Sequence, residues 1–265
     1  MPKLEVNDVA LYYETHGDGI PLLLVAGLAS DSQSWQPIVG ELASHCRVIT
    51  VDNRGVGRTS PLTIETSIHA MATDCIALVK HLGLQSVNVL GHSMGGLVAQ
   101  ECAIHYPECV DKLILAATFS CNSGRNNGLF SNWASSLESG LDLKLWFRGI
   151  FYWIFSARFF EDEKVVEDAV QFAVEYPYPQ SPTAFRNQVN AIAQFSCTNQ
   201  LSKIAARTLV IGGKDDLLFP VQTCASLARR IPGAVFAEIN NAAHSIHMEN
   251  PRAFTRTVLD FLFKR

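Results

Sequence analysis

Ser86-Val87-Asn88-Val89-Leu90-Gly91-His92-Ser93-Met94-Gly95-Gly96 is the stretch that decides the fold. Its first half is a short apolar run of strand type. Leu97 to His105, just beyond it, reads as a helix stopped by Pro107. Between them stands Gly91-His92-Ser93-Met94-Gly95, the pattern G-x-S-x-G. A strand that turns sharply into a helix holds its middle residue in a strained conformation, with the side chain projecting from the sheet edge. Glycines two residues to either side remove the Cβ atoms that would collide there. The free N–H groups at the helix start point at the same spot.

Working outward, the same strand-then-helix rhythm repeats. Leu4–Val6 and Val9–Glu14 read as an opening antiparallel pair, and Pro21–Val25 as a strand buried on both faces. A helix from near Trp35 to Ser44, a strand over Arg47–Val51 and a helix over Ile68–Leu82 follow. After the central turn comes the strand Val110–Ala116. From Phe119 to Gln200 the rhythm stops: no buried strand is legible, and the segment holds sixteen of the twenty-five Phe, Tyr and Trp residues. It resumes with Thr208–Ile211, a helix over Val221–Arg230, the strand Ala234–Ile239 and a helix over Pro251–Phe263, entered through Asn250 as N-cap. This alternation predicts an α/β chain with a mainly parallel sheet covered on both faces and a helical insertion at one end. The expected division is 1–118 and 201–265 for the core and 119–200 for the insertion.

Composition excludes other classes. With 265 residues, 48% hydrophobic and 17% charged, the chain is long enough to bury a large core and too apolar to be disordered. A net charge of −4 leaves no basic excess for nucleic acid. Leu145–Phe155, LWFRGIFYWIF, is the greasiest run; it is too short for a bilayer and carries Arg148, so no membrane span is expected. Seven cysteines, none in a CxxC pair, fit reduced thiols in a cytoplasm better than disulfides or zinc.

Ser93 in such a turn is a candidate nucleophile, and a serine hydroxyl needs a base. Of eight histidines, His92 adjoins Ser93 and is expected to pack beneath it, while His16, His45, His69, His81 and His105 read as surface or helix-end residues. His244 lies in a small-residue loop directly after the last predicted strand, at the sheet edge where Ser93 emerges. His247 could pair with it as HxxH, but no further ligand supports a metal, and none is expected. The base needs an acid to hold its tautomer. Ala117-Thr118-Phe119-Ser120 offers none, which leaves Asp215 and Asp216 after Thr208–Ile211, both plausible on chemistry. The order is then Ser, Asp, His.

At this point the chain resembles the α/β-hydrolase family almost end to end. The matching pieces are Leu23–Leu28, Asp52-Asn53-Arg54-Gly55-Val56-Gly57-Arg58-Thr59-Ser60, Gly91–Gly96, Gly213–Pro220 and His244 through Pro251. The resemblance implies the α/β-hydrolase fold, with an eight-stranded sheet flanked by helices, and makes 119–200 the family's helical cap. The family pattern G-x-x-D-x-x-x-P falls on Gly213, Asp216 and Pro220 and picks Asp216 over Asp215. It implies an oxyanion hole of the Met94 and Leu28 backbone N–H groups, although Ala26-Gly27 stands where the family has His-Gly. Trp146, Phe147, Phe151 and Trp153 are the expected pocket residues, with most other aromatics packing cap on core.

The expected function is a cofactor-free serine hydrolase of a small carboxylic ester or lactone, similar to esterases, enol-lactonases and the cofactor-free haloperoxidase group. Ser93 speaks against the dehalogenases and epoxide hydrolases of this fold, which use aspartate, and Ser245 after the base against carbon–carbon hydrolases. Two alternatives stay open. One is an enol-lactonase whose carboxylate-bearing substrate is anchored by Arg125, Arg148, Arg158 or Arg186. The other is a small-ligand receptor or weakly catalytic binding protein of the same fold.

Overall fold

The uninterrupted apolar strands lie where their composition sends them, in the middle of a single sheet. The structure, a computed structural model, describes residues 3–264. Strands β1 (Lys3–Val6) and β2 (Val9–His16) form the antiparallel edge. They lead into β3 (Ile20–Val25), helix α1 (Gln36–Ala43), β4 (Cys46–Val51), α2 (Ile68–His81), β5 (Val87–His92), α3 (Met94–His105) and β6 (Val110–Ala116). The chain then leaves the sheet as α4 (Gly124–Glu138), α5 (Leu143–Ile154), α6 (Glu163–Val174) and α7 (Pro182–Gln194). It returns as β7 (Arg207–Gly213), α8 (Val221–Arg230), β8 (Val235–Ile239), the short α9 (Ile246–Glu249) and α10 (Pro251–Phe263). The eight strands run in the order β1-β2-β4-β3-β5-β6-β7-β8, parallel from β4 to β8.

That order reverses at β3. The chain goes from β3 to β4 on one side and to β5 on the other, so the loops after β3 and β5 diverge and leave a crevice at the carboxyl ends of the strands. Alternation along each strand builds two cores. In β3, Leu23 and Val25 face the layer that includes α2, α3 and α8, whereas Leu22 and Leu24 face Trp35, α1 and α10. All four are at most 1% exposed.

Strand β5 and helix α3 reach further than the apolar pattern predicts: β5 runs on through Gly91-His92, and α3 starts at Met94 rather than Leu97. The turn between them is a single residue. In the chain segment that joins β6 to β7, the only strand-type pairing among the described residues is the isolated bridge Cys121–Ser196. Among the described residues, no helix is long and apolar enough to cross a membrane, and six of the seven free cysteines are buried.

One buried ion pair ties the antiparallel edge to the core. The Arg54 guanidinium grips Asp74 of α2 through two nitrogens, with Nη2–Oδ1 at 2.9 Å, and also donates to the Asn7 carbonyl at 2.7 Å. Both side chains are at most 5% exposed. Removing Asp74 leaves the buried Arg54 charge with only the exposed Asp8 carboxylate, at 2.9 Å, as an ionic partner. Asp74→Ala is therefore expected to destabilise the fold by about 3–5 kcal/mol, read as a lower urea midpoint. Asp260→Ala, which breaks the exposed pair with Lys264, should cost less than about 1 kcal/mol in the same assay.

Candidate active site

Ser93 sits at the bend between β5 and α3 with φ +53° and ψ −119°, a conformation that L-residues rarely adopt. Its neighbours hold it there. The Ser93 N–H donates to the Ala116 carbonyl at 2.9 Å, and the Thr118 hydroxyl donates to the Ser93 carbonyl at 2.7 Å. A Cβ on Gly91 would stand 2.2 Å from the Gly95 carbonyl oxygen, and one on Gly95 would stand 2.0 Å from that of Val25. Glycine is thus required on both sides, because α3 starts in direct contact with β3 and β5.

The candidate acid–base pair, Asp216 and His244, comes from the loops after β7 and β8. His244 Nδ1 lies 3.0 Å from Asp216 Oδ2, with both side chains at most 5% exposed. The other Asp216 oxygen accepts the Leu218 and Phe219 N–H groups at 2.8 and 2.9 Å, so the carboxylate is fully engaged. Nδ1–H donating to Asp216 leaves Nε2 as the nitrogen free to take a proton. Asp215 is exposed, and its N–H donates to the Ala242 carbonyl. Ser93 and His244 line the same small cavity, about 80 Å3, with no hydrogen bond between their side chains among the described residues.

The loop after β3 forms the facing wall. Gly27 packs so closely that a Cβ there would lie 3.1 Å from the Ser93 Cβ. Leu28 lines the cavity, and Met94, whose N–H is the first of α3, is completely buried beside it.

Beneath the pair lie three more rings. His92 turns under the site, its Nε2 lies 2.9 Å from the His244 carbonyl oxygen, and its ring packs on His244 and His247. Burial, reinforced by the neighbouring imidazoles, holds its pKa well below the usual histidine range. His247 packs on Trp35, with ring centroids 4.7 Å apart. Burial pushes its pKa down to about 3. Among the described residues, no group of three or more His, Cys, Asp or Glu side chains is arranged to hold a metal ion.

The inserted helices roof the cavity. Helix α5 presents two stripes at i, i+4 spacing. Trp146, Ile150 and Ile154 form the stripe toward the site; Ile150 and Ile154 line the inner cavity, together with Phe130, Trp133, Phe185 and Leu218. Trp146 and Phe147 line a second, outer chamber of about 490 Å3 that shares Ala29 and Ser30 with the inner one. Two of the four expected pocket residues lie elsewhere. Phe151 turns to α6 and packs on Val166 and Val170 inside the insertion, and Trp153 lies under the Arg125 guanidinium at 4.8 Å. Sequence reasoning missed Phe130, Trp133, Ile150, Ile154 and Phe185; the i, i+4 spacing of Trp146, Ile150 and Ile154 was the available signal.

None of the four arginines of the insertion lines either cavity. Arg125 covers Trp153, Arg148 pairs with Glu163, Arg186 pairs with Glu138, and Arg158 is exposed.

A sequence model described as the alpha/beta hydrolase fold matches residues 20–251. The provisionally named carbamate hydrolase RutD of Azorhizobium caulinodans is 30% identical over 264 residues, covering 98% of each chain. The provisionally named non-heme bromoperoxidase BpoC of Mycobacterium tuberculosis is 30% identical over 258 residues, 96% of this chain and 97% of that one. The enol-lactonase structure from Burkholderia xenovorans LB400 superposes with a TM-score of 0.90 at 25% identity, covering 99% of this chain and 100% of that one.

Two outcomes follow from this geometry. Asp216→Asn should lower kcat by about three to four orders of magnitude, since the amide cannot hold the same His244 tautomer, whereas Asp215→Asn should stay within about threefold of wild type. A larger loss for Asp215→Asn would reverse the assignment. The second outcome concerns acid stability. The folded-state pKa of His247 lies below the ordinary 6.5, so protons bind the unfolded chain preferentially. The contribution of neutral His247 is complete above about pH 6.5 and is lost as pH falls from there toward about 3. Urea midpoints measured from pH 7.5 to 4 should fall more steeply for wild type than for His247→Phe.

Proposed function

The chain belongs to the alpha/beta hydrolase family, and we propose that within it the protein is a serine hydrolase of uncharged carboxylic esters or lactones. The observation that carries this reading is the Asp216–His244 pair, at 3.0 Å, opening onto the same cavity as a left-handed Ser93. In the proposed cycle the Ser93 hydroxyl attacks the carbonyl carbon and His244 Nε2 takes its proton. Asp216 stabilises the resulting imidazolium. The Met94 and Leu28 N–H groups hold the oxyanion. Collapse expels the alcohol, which leaves with the proton from His244. Water, deprotonated by the same nitrogen, then cleaves the acyl-enzyme. No cofactor is needed for any of these steps.

The walls support a neutral substrate. Among the described residues, no lysine or arginine lines either chamber, whereas Asp31 lines the outer one. A substrate carboxylate would lose its hydration there without gaining a cation. The chambers also differ in size, which favours one short arm and one long apolar arm on either side of the scissile bond. Each buried methylene is worth about 0.8 kcal/mol.

A carboxylate-bearing lactone is the second reading, favoured by the close superposition on an enol-lactonase. The resemblance to a provisionally named carbamate hydrolase adds a carbamate to the compounds worth testing.

One panel tests the reading. Wild type should react with a fluorophosphonate and hydrolyse neutral esters, and Ser93→Ala should do neither, with turnover down by about 10⁴ or more. With 4-nitrophenyl or methyl esters, lengthening one arm should raise kcat/KM by up to about fourfold per methylene, while lengthening the other should lower it beyond a few carbons. More than a tenth of wild-type activity in folded Ser93→Ala would remove the nucleophile assignment. Preference for a carboxylate-bearing lactone, abolished by changing one of the four arginines to alanine, would promote the second reading. Tight ligand binding without turnover or labelling would promote a receptor.

A further inference from the structure

We infer that Gln188, on the inserted helix α7, is a positioning residue for the oxyanion loop, acting through the Ala29 peptide; this inference rests on the serine-hydrolase reading above. The loop after β3 turns at Gly27–Ser30, closed by the Ser30 N–H on the Gly27 carbonyl at 3.3 Å. Ala29 in that turn has φ +58°, a left-handed conformation that costs energy for a residue with a Cβ and persists only when its surroundings hold it. Beyond the turn's own bonds, a support for Ala29 itself comes from the insertion. The Ala29 N–H donates to Gln188 Oε1 at 3.2 Å, across 159 positions of sequence.

Gln188 is itself completely buried, and both ends of its amide are used. Nε2 donates to the Arg54 carbonyl at 2.8 Å, in the loop after β4. Oε1 also accepts from Gln180 Nε2 at 3.0 Å, and that nitrogen donates in turn to the Gly55 carbonyl at 2.8 Å. Burying a polar amide on a helix brings no packing advantage over a leucine of similar size, and it is tolerated only when its hydrogen bonds are made. Here they are made entirely by core backbone and a second glutamine. Leu28, the residue before Ala29, lines the cavity that holds Ser93, and in the reading above its N–H is the second oxyanion donor. Without the Oε1 acceptor, the Ala29 N–H is stranded, and the left-handed turn keeps only the Ser30 N–H bond to the Gly27 carbonyl and the Ser30 hydroxyl bond to the Leu28 carbonyl. The turn then relaxes, and the Leu28 N–H leaves the position where the carbonyl oxygen gathers charge. Oxyanion donors act in the transition state, so the loss belongs in kcat rather than KM.

Gln188→Met keeps the shape and removes the acceptor. It should lower kcat for 4-nitrophenyl butyrate about 10- to 100-fold with KM within about threefold, and weaken an alkyl boronic acid, which forms a tetrahedral adduct on serine, by a similar factor. Asn187→Ala removes a different hydrogen bond from the same helix to core backbone, the one to the Ile64 carbonyl at 3.0 Å, without touching Ala29, and should lower kcat less than about threefold at a comparable melting temperature. Gln188→Glu covers the case in which the methionine variant does not fold. Its carboxylate keeps an acceptor for Ala29 but opposes the Arg54 carbonyl, and on protonation it regains a donor. Its kcat relative to wild type should therefore rise as pH is lowered from 8 to 6. The inference is overturned if Gln188→Met keeps kcat within twofold of wild type, or if it loses kcat while boronate affinity is unchanged. It is overturned equally if the Gln188→Glu ratio is flat with pH. A wild-type protein that neither hydrolyses neutral esters nor takes a fluorophosphonate would instead remove the hydrolase reading itself.

Discussion

The candidate site hangs from one backbone constraint, the left-handed turn at Ser93 between β5 and α3. A turn of one residue between strand and helix is possible only if the helix starts in contact with the sheet. That contact requires glycine at 91 and 95, where a Cβ would stand within about 2.2 Å of backbone oxygens. The same proximity brings Gly27, at the end of β3, against the Ser93 Cβ. The strand order reverses at β3, so the loops after β3 and β5 border one crevice, and those after β7 and β8 reach it from the other side. Strain at one residue is thus supported by the packing of the whole central sheet, and the Ser93 hydroxyl cannot relax away without disturbing it.

A second feature organises the site from above. The inserted helices are fastened to the loops after β3, β7 and β8. Asn126 donates to the Leu218 carbonyl beside Asp216 at 2.8 Å. The Ser245 N–H donates to the Ile154 carbonyl at 2.9 Å, and Glu249 accepts from Ser156 of the insertion and from the Ala243 N–H next to His244. Gln188 holds Ala29. Each of these is a buried or half-buried polar contact to backbone, which fixes loop position more narrowly than apolar packing does, because a hydrogen bond is lost over a few tenths of an ångström and an angle of some tens of degrees. The insertion therefore does more than roof a cavity. Its polar residues set the register of the loops below, while its aromatics supply the apolar walls.

The rings beneath the site serve a different end. His92 and His247 are buried, and burial keeps both below the ordinary histidine range. Neutral rings under His244 provide a packed, uncharged floor. Of these three rings, His244 alone has a carboxylate partner, Asp216 at 3.0 Å.

Much of this was legible from residues in a row. The apolar runs located the strands, and Val110–Ala116, Val221–Arg230 and Pro251–Phe263 stand at the bounds read from pattern and caps alone. The G-x-S-x-G turn announced itself because its glycines answer a local steric demand, and His244 because a small-residue loop after a last strand has few places to go. Choosing between Asp215 and Asp216 needed a family pattern, since adjacent carboxylates are equivalent until the loop sets which one faces inward. The direction of Phe151 and Trp153, the lining role of Phe130 and Phe185 and the grip of Gln188 on Ala29 were not legible at all. A helix's own periodicity shows that it has two stripes, but only the docking of that helix on the rest of the chain decides which stripe meets the site, and a glutamine's partner 159 residues away leaves no local trace.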